Sequence, residues 1–332
     1  MSIRVAVTGA GGPSAVSFMK TVAPRGVELF AGDIDPYAAG LYLVPPDRRW
    51  ILHRGADPRF ADDLLARCVD AKIDVLVPTV DFELLPIAHR RDEFEAKGIR
   101  LILSPATTFE RCLDKWNLVS VCREVCPVPH TVVVDREFSL APDAPPMLIK
   151  PRRGAGARGV RLVQSADDLA NVPRDESYVA QEFLPGTEYS VDVLCDARGS
   201  VLAVVPRSRL KIDSGIAVAG RTVRNDTLAG YAAAVATRLG VTFVANVQFR
   251  EDATGTPKLL DVNARFPGTM PLTVMAGIDM PSLALDLVLG KAVDAAALSY
   301  REVALVRTWQ DHLVETSEIA ELERRARDLG PA

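Results

Sequence analysis

Cysteine and histidine are scarce in this sequence, and neither forms a recognisable motif. The five cysteines contain no Cys-x-x-Cys pair and the four histidines are scattered, so the ligand spacing of a zinc site is missing. Unpaired thiols of this kind are typical of a reducing cytoplasm, where we expect the protein to act. The shortage of histidine also argues against a Ser-His-Asp or Cys-His catalytic group.

Long apolar runs and an excess of positive charge are missing as well. No stretch of roughly 18 residues is both apolar and uncharged, so we expect no membrane-spanning helix. The amino terminus runs directly into a strand pattern, which leaves no room for a secretory leader. The formal net charge of −4 provides no general attraction for nucleic acid or for an anionic membrane. These absences favour small-molecule chemistry.

The sequence does contain the residue balance of a folded globular protein, with 48% apolar and 25% charged residues. Its 332 residues exceed the usual size of one hydrophobic core, which predicts two or three packed units. Between residues 3 and 103, short apolar runs such as RVAVTG and IDVLVPT alternate with amphipathic stretches. This alternation predicts βαβ units and a parallel sheet.

The first turn, TGAGGPSA, allows two interpretations. Its glycines, with Asp33 or Asp35 further along, resemble part of a dinucleotide-binding fingerprint. The fingerprint is incomplete, however, because Ser14 occupies the third glycine position and Pro13 precedes it. We therefore favour a structural turn, and an NAD(P)-dependent reductase or epimerase stays as an alternative.

A second unit is predicted to begin near Ser104. Residues 104–125 have the apolar spacing of a helix, with a cap at the start. The prolines of CPVPHT end this helix, and strands and hairpins follow. Residues 314–330 have the pattern of an amphipathic terminal helix.

A glycine-rich loop lies between two predicted strands in PMLIKPRRGAGARGVRLV. Lys150 ends the first strand, and three glycines allow backbone N–H groups to turn toward an anion; these are Gly154, Gly156 and Gly159. Val160 and Arg161 stand where a Walker A loop needs Lys and Ser or Thr. The loop is thus either a phosphate site of another type or a charged hairpin tip.

The stretch YVAQEFLPGTEYSVDVL predicts two strands separated by a proline-glycine break. Backbone groups around Glu182 and Leu184 could face a planar heterocycle there, while Glu188 reaches a sugar hydroxyl. An ordinary half-exposed strand is the alternative.

Three basic residues alternate in VVPRSRLKIDSG. Arg207, Arg209 and Lys211 would project on one face of a strand and repel each other. A bound anion would relieve this repulsion, and so would solvent at an edge strand.

The stretch FVANVQFREDATGTPKLLDVNARF predicts two strands joined by a turn around Thr254 and Gly255. Gln248 and Asp261 are equidistant from this turn, so they become cross-strand neighbours if no bulge intervenes. Asn263 and Arg265 continue the polar face at a spacing of two. The opposite face would carry apolar residues, namely Leu260, Val262 and Ala264.

This polar face offers one carboxylate and two amide oxygens, which are hard ligands suited to Mg²⁺. Arg265 on the same face could pair with a phosphoryl group that gains charge during transfer. The alternative is an internal hydrogen-bond network among the same side chains.

Taken in order, Lys115, Lys150, the glycine loop, QEFLPGTE, NVQF and DVNAR resemble an ATP-grasp enzyme. The likeness is to the ATP-binding halves of the carbamoyl-phosphate synthetase large subunit and to the pyrrolysine-biosynthesis ligase group. It implies an α/β, Rossmann-like domain at 1–106 that binds no dinucleotide itself. An α+β ATP-grasp part follows, with a lid at 107–184 and an antiparallel domain at 185–332.

The resemblance implies that ATP lies between the last two domains. Lys115 and Lys150 would contact the α- and β-phosphates, and the loop 154–159 would close over them. Glu188 would bind the ribose. Adenine would meet a group of three residues, Gln181, Glu182 and Leu184.

The resemblance also implies a metal site and a catalytic group. One or two Mg²⁺ ions, or Mn²⁺, would be held by Gln248, Asp261 and Asn263. Arg265 would stabilise the transferred phosphoryl group, and Lys211 or Arg209 would touch the γ-phosphate or the substrate. The family usually has Glu at the position of Asp261, and many members have an acid at that of Gln248, so metal binding should be weaker here.

The implied reaction joins a carboxylate, such as an amino acid or related small acid, to an amine through an acyl phosphate, with release of ADP and phosphate. The expected partners are small molecules, with no nucleic acid and no membrane, and the resemblance allows a homodimer. A carboxylate or carbamate kinase would stop at the phosphorylated product. An ATP-binding module without turnover is a further alternative.

Overall fold

The computed structural model describes residues 2–141, 145–154, 159–165, 167–213 and 216–330. Gly156 and most of the predicted loop 154–159 lie outside these residues. The described chain forms three sheets of five, four and six strands.

The first sheet is parallel, so the carboxyl ends of its strands lie along one edge. Its strands are β1 (Arg4–Thr8), β2 (Glu28–Asp33), β3 (Arg49–Ile51), β4 (Val75–Val77) and β5 (Arg100–Leu101), in the order β3-β2-β1-β4-β5. The helices α1 (Pro13–Val22), α2 (Phe60–Asp70), α3 (Asp81–His89) and α4 (Arg91–Ala96) connect them. The strand order reverses beside β1, which leaves a crevice at the carboxyl ends. The predicted parallel α/β unit is confirmed.

The glycine turn after β1 is closed by its own contacts. Gly9 has a φ of +67°, and a Cβ atom there would lie 2.2 Å from Cγ2 of Val80, so only glycine fits. The N–H of Gly11 donates to the Asp33 carboxylate at 2.7 Å. Asp33, the acid weighed above as a ribose ligand, thus fastens the turn.

The helix predicted near residues 104–125 is two helices, α5 (Ala106–Cys112) and α6 (Lys115–Cys122). Asp114 caps the second helix, because its carboxylate accepts from the N–H groups of Trp116 and Asn117. Apolar spacing runs through the break, so periodicity alone did not reveal it. The predicted cap at Ser104 is wrong: Pro105 stands at the N-cap of α5 and makes no side-chain capping bond.

The second sheet is small and antiparallel. It contains β6 (Thr131–Val133), β7 (Met147–Pro151), β8 (Arg161–Val163) and β9 (Tyr178–Glu182), in the order β6-β9-β7-β8. It has a core of its own, which includes Val134, Ile149, Val163 and Ala180. The predicted strands on both sides of the glycine loop are confirmed as β7 and β8.

The third sheet is antiparallel, in the order β14-β13-β10-β11-β12-β15. Its strands are β10 (Glu188–Cys195), β11 (Val201–Asp213), β12 (Ile216–Thr222), β13 (Val244–Glu251), β14 (Pro257–Asn263) and β15 (Ala304–Val306). The remaining helices are α7 (Asp226–Leu239), α8 (Met270–Ala276), α9 (Met280–Val288) and α10 (Thr316–Asp328), so a terminal helix forms as predicted.

The first and third sheets share hydrophobic cores. One core joins Leu84 and Phe109 to Val235 and Phe249. The hydroxyl of Thr108 ties the same regions together, because it donates to the last carbonyl groups of α7. The three sheets lie within the predicted ranges 1–106, 107–184 and 185–332, but the boundaries themselves stay predictions.

None of the helices in the described ranges is, by itself, long and apolar enough to cross a membrane. The bent pair α8 and α9 meets the length and composition test only when the two are taken together, across a bend of 92°.

Candidate functional site

The hairpin of β13 and β14 brings the predicted metal ligands together. Gln248 pairs with Asp261, and Asn246 pairs with Asn263. The predicted cross-strand neighbours are therefore confirmed. Because paired residues of adjacent strands project to the same side, the two amides and the carboxylate share one face.

A bulge interrupts this hairpin directly beside Asp261. Phe249 pairs with Leu259, so Leu260 is an extra residue in β14. Leu259 is fully buried, while Leu260 is only partly buried. The predicted apolar face is thus correct for Val262 and Ala264, which are buried, and wrong for Leu260.

The oxygen atoms of this face fit a hard cation. Asp261 accepts one hydrogen bond, from the N–H of Val262 at 3.0 Å. The amide nitrogen of Gln248 donates to Oδ1 of Asn246 at 3.3 Å. This bond uses the nitrogen of the Gln248 amide, so its oxygen remains the atom that can bind a metal. No group of three His, Cys, Asp or Glu side chains in the described ranges is arranged around a metal. One carboxylate and two amides suit Mg²⁺ when water and phosphate oxygens complete its shell.

Arg265 is held by an acid that sequence reasoning missed. Its Nε and Nη2 atoms contact the two carboxylate oxygens of Asp81 at 2.6 and 2.8 Å. Nη2 also donates to Oδ1 of Asn263 at 3.2 Å, which ties Arg265 to the predicted metal ligands. Burial acts to lower the pKa of Arg265, but Asp81 and Asp261 together raise it above its usual value.

Lys150 and Gln181 form a buried pair between β7 and β9. Lys150 is 6% exposed and Gln181 is 1% exposed, and Nζ of the lysine donates to Oε1 of the glutamine at 2.6 Å. The other end of Gln181 donates to Thr131 at 3.0 Å. The Gln181 side chain therefore binds Lys150, and its predicted contact with adenine stays a prediction.

Burial lowers the pKa of Lys150 to about 8, while Asp261 acts to raise it. The carboxylate on the third sheet is thus close enough to influence an ammonium group on the second sheet. Lys115 also lies near, since its charge lowers the same pKa. These residues come from three separate parts of the chain and converge on one region.

Lys115 lies at the start of α6 and faces the glycine loop. Its Nζ atom donates to the carbonyl oxygen of Gly154 at 3.0 Å. Gly159, at the other end of the loop, has a φ of +73°, which favours glycine. Lys115 therefore contacts one end of the glycine loop.

Glu182 ends β9 and connects the second sheet to the third. Both of its carboxylate oxygens accept from Nζ of Lys258, at 2.7 and 2.9 Å, and one accepts from the N–H of His130. Lys258 was missed because it is 76 residues away in sequence. Leu184 is buried directly after this strand. Backbone contacts of Glu182 and Leu184 with adenine stay a prediction.

Arg207 and Arg209 lie two residues apart on β11, ahead of a bulge, as predicted for one face, and each contacts an acid on β10. Arg207 is buried and paired with Asp192, and Arg209 is paired with Glu188. A bulge follows Arg209, and Lys211 is exposed beyond it. Acidic partners on β10 thus relieve the repulsion that we assigned to an anion or to solvent. The roles of Arg209, Lys211 and Glu188 toward ATP stay predictions.

Asp192 organises a buried network on the same side of the sheet as the polar face, one strand away on β10. Its carboxylate accepts from Arg207, from Asn246 at 2.8 Å and from Thr273 at 2.5 Å. Asn246 in turn accepts from Gln248. The network fixes Asn246, which in turn holds Gln248. Strand alternation alone did not predict this supporting contact.

Glu83 is buried at the carboxyl edge of the first sheet. It accepts from the hydroxyl of Thr8 at 2.5 Å. Burial raises the pKa of Glu83 to about 8, and Asp33 adds to this. Glu83 lies in the first turn of α3, in a buried position.

Two family descriptions match this chain. Residues 5–102 match "PylC-like, N-terminal domain", and residues 174–312 match "ATP-grasp in the biosynthetic pathway with Ter operon". The first match covers the parallel sheet. The second covers the end of the second sheet and the third sheet with its polar hairpin.

Curated relatives align with parts of the chain. D-alanine–D-alanine ligase from Thermotoga petrophila is 26% identical over 121 residues, which is 34% of this chain and 40% of the relative. Carbamoyl-phosphate synthase from Methanobrevibacter smithii is 24% identical over 181 residues, 52% of this chain and 47% of the relative. The chain thus spans less than half the length of each of these relatives.

Solved structures share the fold over most of the chain. An L-amino acid ligase from Bacillus licheniformis has a TM-score of 0.67 at 19% identity, covering 86% of this chain and 74% of that one. A biotin carboxylase complex with β-γ-ATP from Campylobacter jejuni has a TM-score of 0.73 at 16% identity, covering 89% and 73%. Together the matches confirm the predicted likeness, and the fold of this chain is the ATP-grasp fold.

Proposed function

Because the chain has the ATP-grasp fold, we propose that it is an ATP-dependent ligase that joins a small carboxylic acid to an amine. One observation carries the proposal. The hairpin of β13 and β14 gathers Gln248, Asp261 and Asn263 on one face of the third sheet, and Asp261 lies close enough to the buried Lys150 of the second sheet to act on the pKa of that lysine. A cation and a metal-ligand face on opposite walls suit a metal-bound triphosphate. The partial relatives include ligases that form such bonds.

The residues of the chain have distinct parts in this reaction. Lys150 and Lys115 neutralise phosphate oxygens, and Gln248, Asp261 and Asn263 would hold one or two Mg²⁺ ions. When bound, the metal would supply charge neutralisation to the triphosphate. Arg265 offers its guanidinium to the phosphoryl group in transfer.

The bond changes require no nucleophilic side chain. A carboxylate oxygen of the substrate attacks the γ-phosphorus, and the bond between that phosphorus and the bridging oxygen breaks to release ADP. The amine then attacks the acyl carbon, phosphate leaves with the bonding electrons, and the amine loses a proton. The protein positions the reactants and balances charge.

A screen of ADP release with amino acids in pairs tests the proposal. We expect at least one acid and amine pair to stimulate ADP formation and to give an amide product. If ADP forms equally without the amine and a phosphorylated acid accumulates, the kinase alternative is correct. If no pair stimulates ADP release, the ligase proposal is wrong, whether or not MgATP binds saturably.

Asp261→Asn tests the metal site within the same screen. We expect the Mg²⁺ concentration for half-maximal rate to rise about tenfold or more, because the only carboxylate of the set is lost. Asp226→Asn is the matched control, since it removes the same charge from an exposed position at the start of α7. If the Mg²⁺ concentration for half-maximal rate is the same in the two variants, Asp261 is not a metal ligand.

A further inference from the structure

Asp81 and Arg265 form a two-point ion pair between the first sheet and the end of β14. The guanidinium contacts both carboxylate oxygens, at 2.6 and 2.8 Å, across 184 residues of sequence. From this geometry we infer that Asp81 is a positioning residue, which orients Arg265 toward the phosphoryl group. The inference rests on the proposed function of the polar face.

The contacts leave one direction of the guanidinium open. Nε and Nη2 of Arg265 are engaged by Asp81, and Nη2 also reaches Asn263. Within the described part of the chain, Nη1 makes one contact, a long one of 3.4 Å with the carbonyl oxygen of Phe266. A planar guanidinium that is fixed along one edge presents its remaining donors in a defined direction. Nη1 is therefore the donor that is available to an anion beside Asn263.

Asp81 itself stands on a rigid support. It is the first residue of α3, whose Leu84 and Ile87 are fully buried. The hydroxyl of Thr79, just before this helix, donates to the carbonyl oxygen of Thr8 in β1 at 2.8 Å. A functional side chain that is held by a packed element keeps its geometry better than one held by a loop. The first sheet unit thus contributes to the transfer site through Asp81.

A purely structural tie between two parts of the fold is the competing explanation. It predicts that loss of Asp81 lowers stability. The ratio between the affinity for a phosphoryl group in transfer and the affinity for MgADP alone, which we call the preference, should then stay unchanged. Positioning predicts that the effect of Asp81 on that preference disappears once Arg265 is removed, because coupled residues are not additive.

Calorimetric titration with MgADP and with MgADP plus aluminium fluoride separates these explanations, since aluminium fluoride mimics a phosphoryl group in transfer. We expect Asp81→Asn to weaken the aluminium fluoride complex about tenfold or more, as loss of a charge-stabilising donor does. MgADP alone should bind within about twofold of the unmodified protein. Arg265→Ala should weaken the complex at least as much, and the double variant should equal Arg265→Ala.

Two further variants guard against a folding effect. Asp286→Asn removes another carboxylate that pairs with an arginine across the fold, Arg25 at 2.8 Å, and should leave both affinities unchanged. Asp81→Glu keeps the charge and should recover part of the lost affinity. A change in both affinities to the same degree, or full additivity in the double variant, would overturn positioning.

The failures of the two proposals are distinguishable. If MgADP binds and Asp81→Asn leaves the aluminium fluoride complex unchanged, the positioning inference fails and the ligase proposal stands. If Asp81 and Arg265 are coupled but no acid and amine pair releases ADP, positioning stands and ligation fails. If the unmodified protein binds no MgADP, both are overturned.

Discussion

Lys150 shows how burial can make a phosphate-binding residue sensitive to pH. Its pKa is lowered to about 8 by burial, so the ammonium group loses its proton as pH rises through that value. Phosphate oxygens bind the charged form. We therefore expect MgADP affinity to be constant below about pH 7 and to fall up to about tenfold per pH unit above 8. Titration calorimetry between pH 6.5 and pH 9.5 (chosen around that pKa) measures this.

Lys150→Arg is the control for this pH dependence, because a guanidinium stays charged throughout the range. The variant should show a flatter profile even if its affinity is lower. An unchanged slope in Lys150→Arg would mean that another group titrates.

Glu83 leads to a prediction about stability. Burial raises its pKa to about 8, above the value near 4.5 of an exposed carboxyl. The folded state therefore holds a proton between about pH 4.5 and 8 that the unfolded state has lost, so this group destabilises the fold progressively as pH rises through that window. Glu83→Gln removes the titration. The free energy of unfolding of this variant minus that of the unmodified protein should increase by about a few kcal/mol from pH 5 to pH 8.5, because only the unmodified protein loses the contribution of this group.

Urea unfolding at the two pH values measures this difference, and Glu302→Gln serves as a control at an exposed position. A difference that stays constant with pH would show that Glu83 is ionised in the folded protein at pH 5.

At the scale of single residues, local patterns predicted some partners and missed others. The pair Gln248 and Asp261 could be read from a hairpin because both residues lie near the same turn. Asp81 and Lys258 could not, since their partners come from other sheets and no local period connects them. Three-dimensional packing decides such contacts.

At the scale of elements, periodicity predicted the strands well but not their irregularities. The hairpin, the strands on both sides of the glycine loop and the break between β9 and β10 form as expected. The bulge at Leu260 was missed because an extra residue leaves the polar spacing of 261, 263 and 265 intact. The break between α5 and α6 was missed for a similar reason, since Asp114 starts a new helix without disturbing the apolar pattern.

The pairing of β7 with β9 gives a prediction at this scale. In the antiparallel register, Lys150 lies opposite Val179, so Gln181 is its diagonal neighbour on the same face. Gln181→Leu removes the acceptor of the ammonium group, which disfavours its charged form and lowers the pKa of Lys150 further. We expect the pH above which MgADP affinity falls to decrease, and the affinity at pH 8 to drop several-fold. Calorimetric titration over the same pH range measures both.

Gln310→Leu is the matched control, because it removes a second lysine-glutamine hydrogen bond of 2.6 Å, from Lys20, at the exposed surface. It should leave the pH profile of MgADP binding unchanged. If Gln181→Leu shows the same profile as this control, the buried acceptor does not set the pKa of Lys150.

At the scale of the whole molecule, the three sheets differ in how they are packed. The first and third sheets share two large cores, whereas the second sheet has a small core of its own. The sequence predicted three units but not this sharing, because nothing local shows that α7 packs with residues near Leu84 and Phe109. The first sheet unit is therefore part of one cooperative structure with the third.

This difference predicts unequal opening of the sheets, because local unfolding of a small core exposes less apolar surface and costs less free energy. Backbone amides of β6, β7 and β9 should exchange with solvent faster than those of β10 and β13. MgADP should slow exchange in β7 and β9, since binding to Lys150 stabilises the closed second sheet. Hydrogen exchange followed by mass spectrometry measures both effects, and Lys150→Ala should lose the protection by MgADP but keep the faster exchange. Equal exchange in all sheets, unchanged by MgADP, would mean that the second sheet opens only when the whole protein unfolds and takes no part in nucleotide binding.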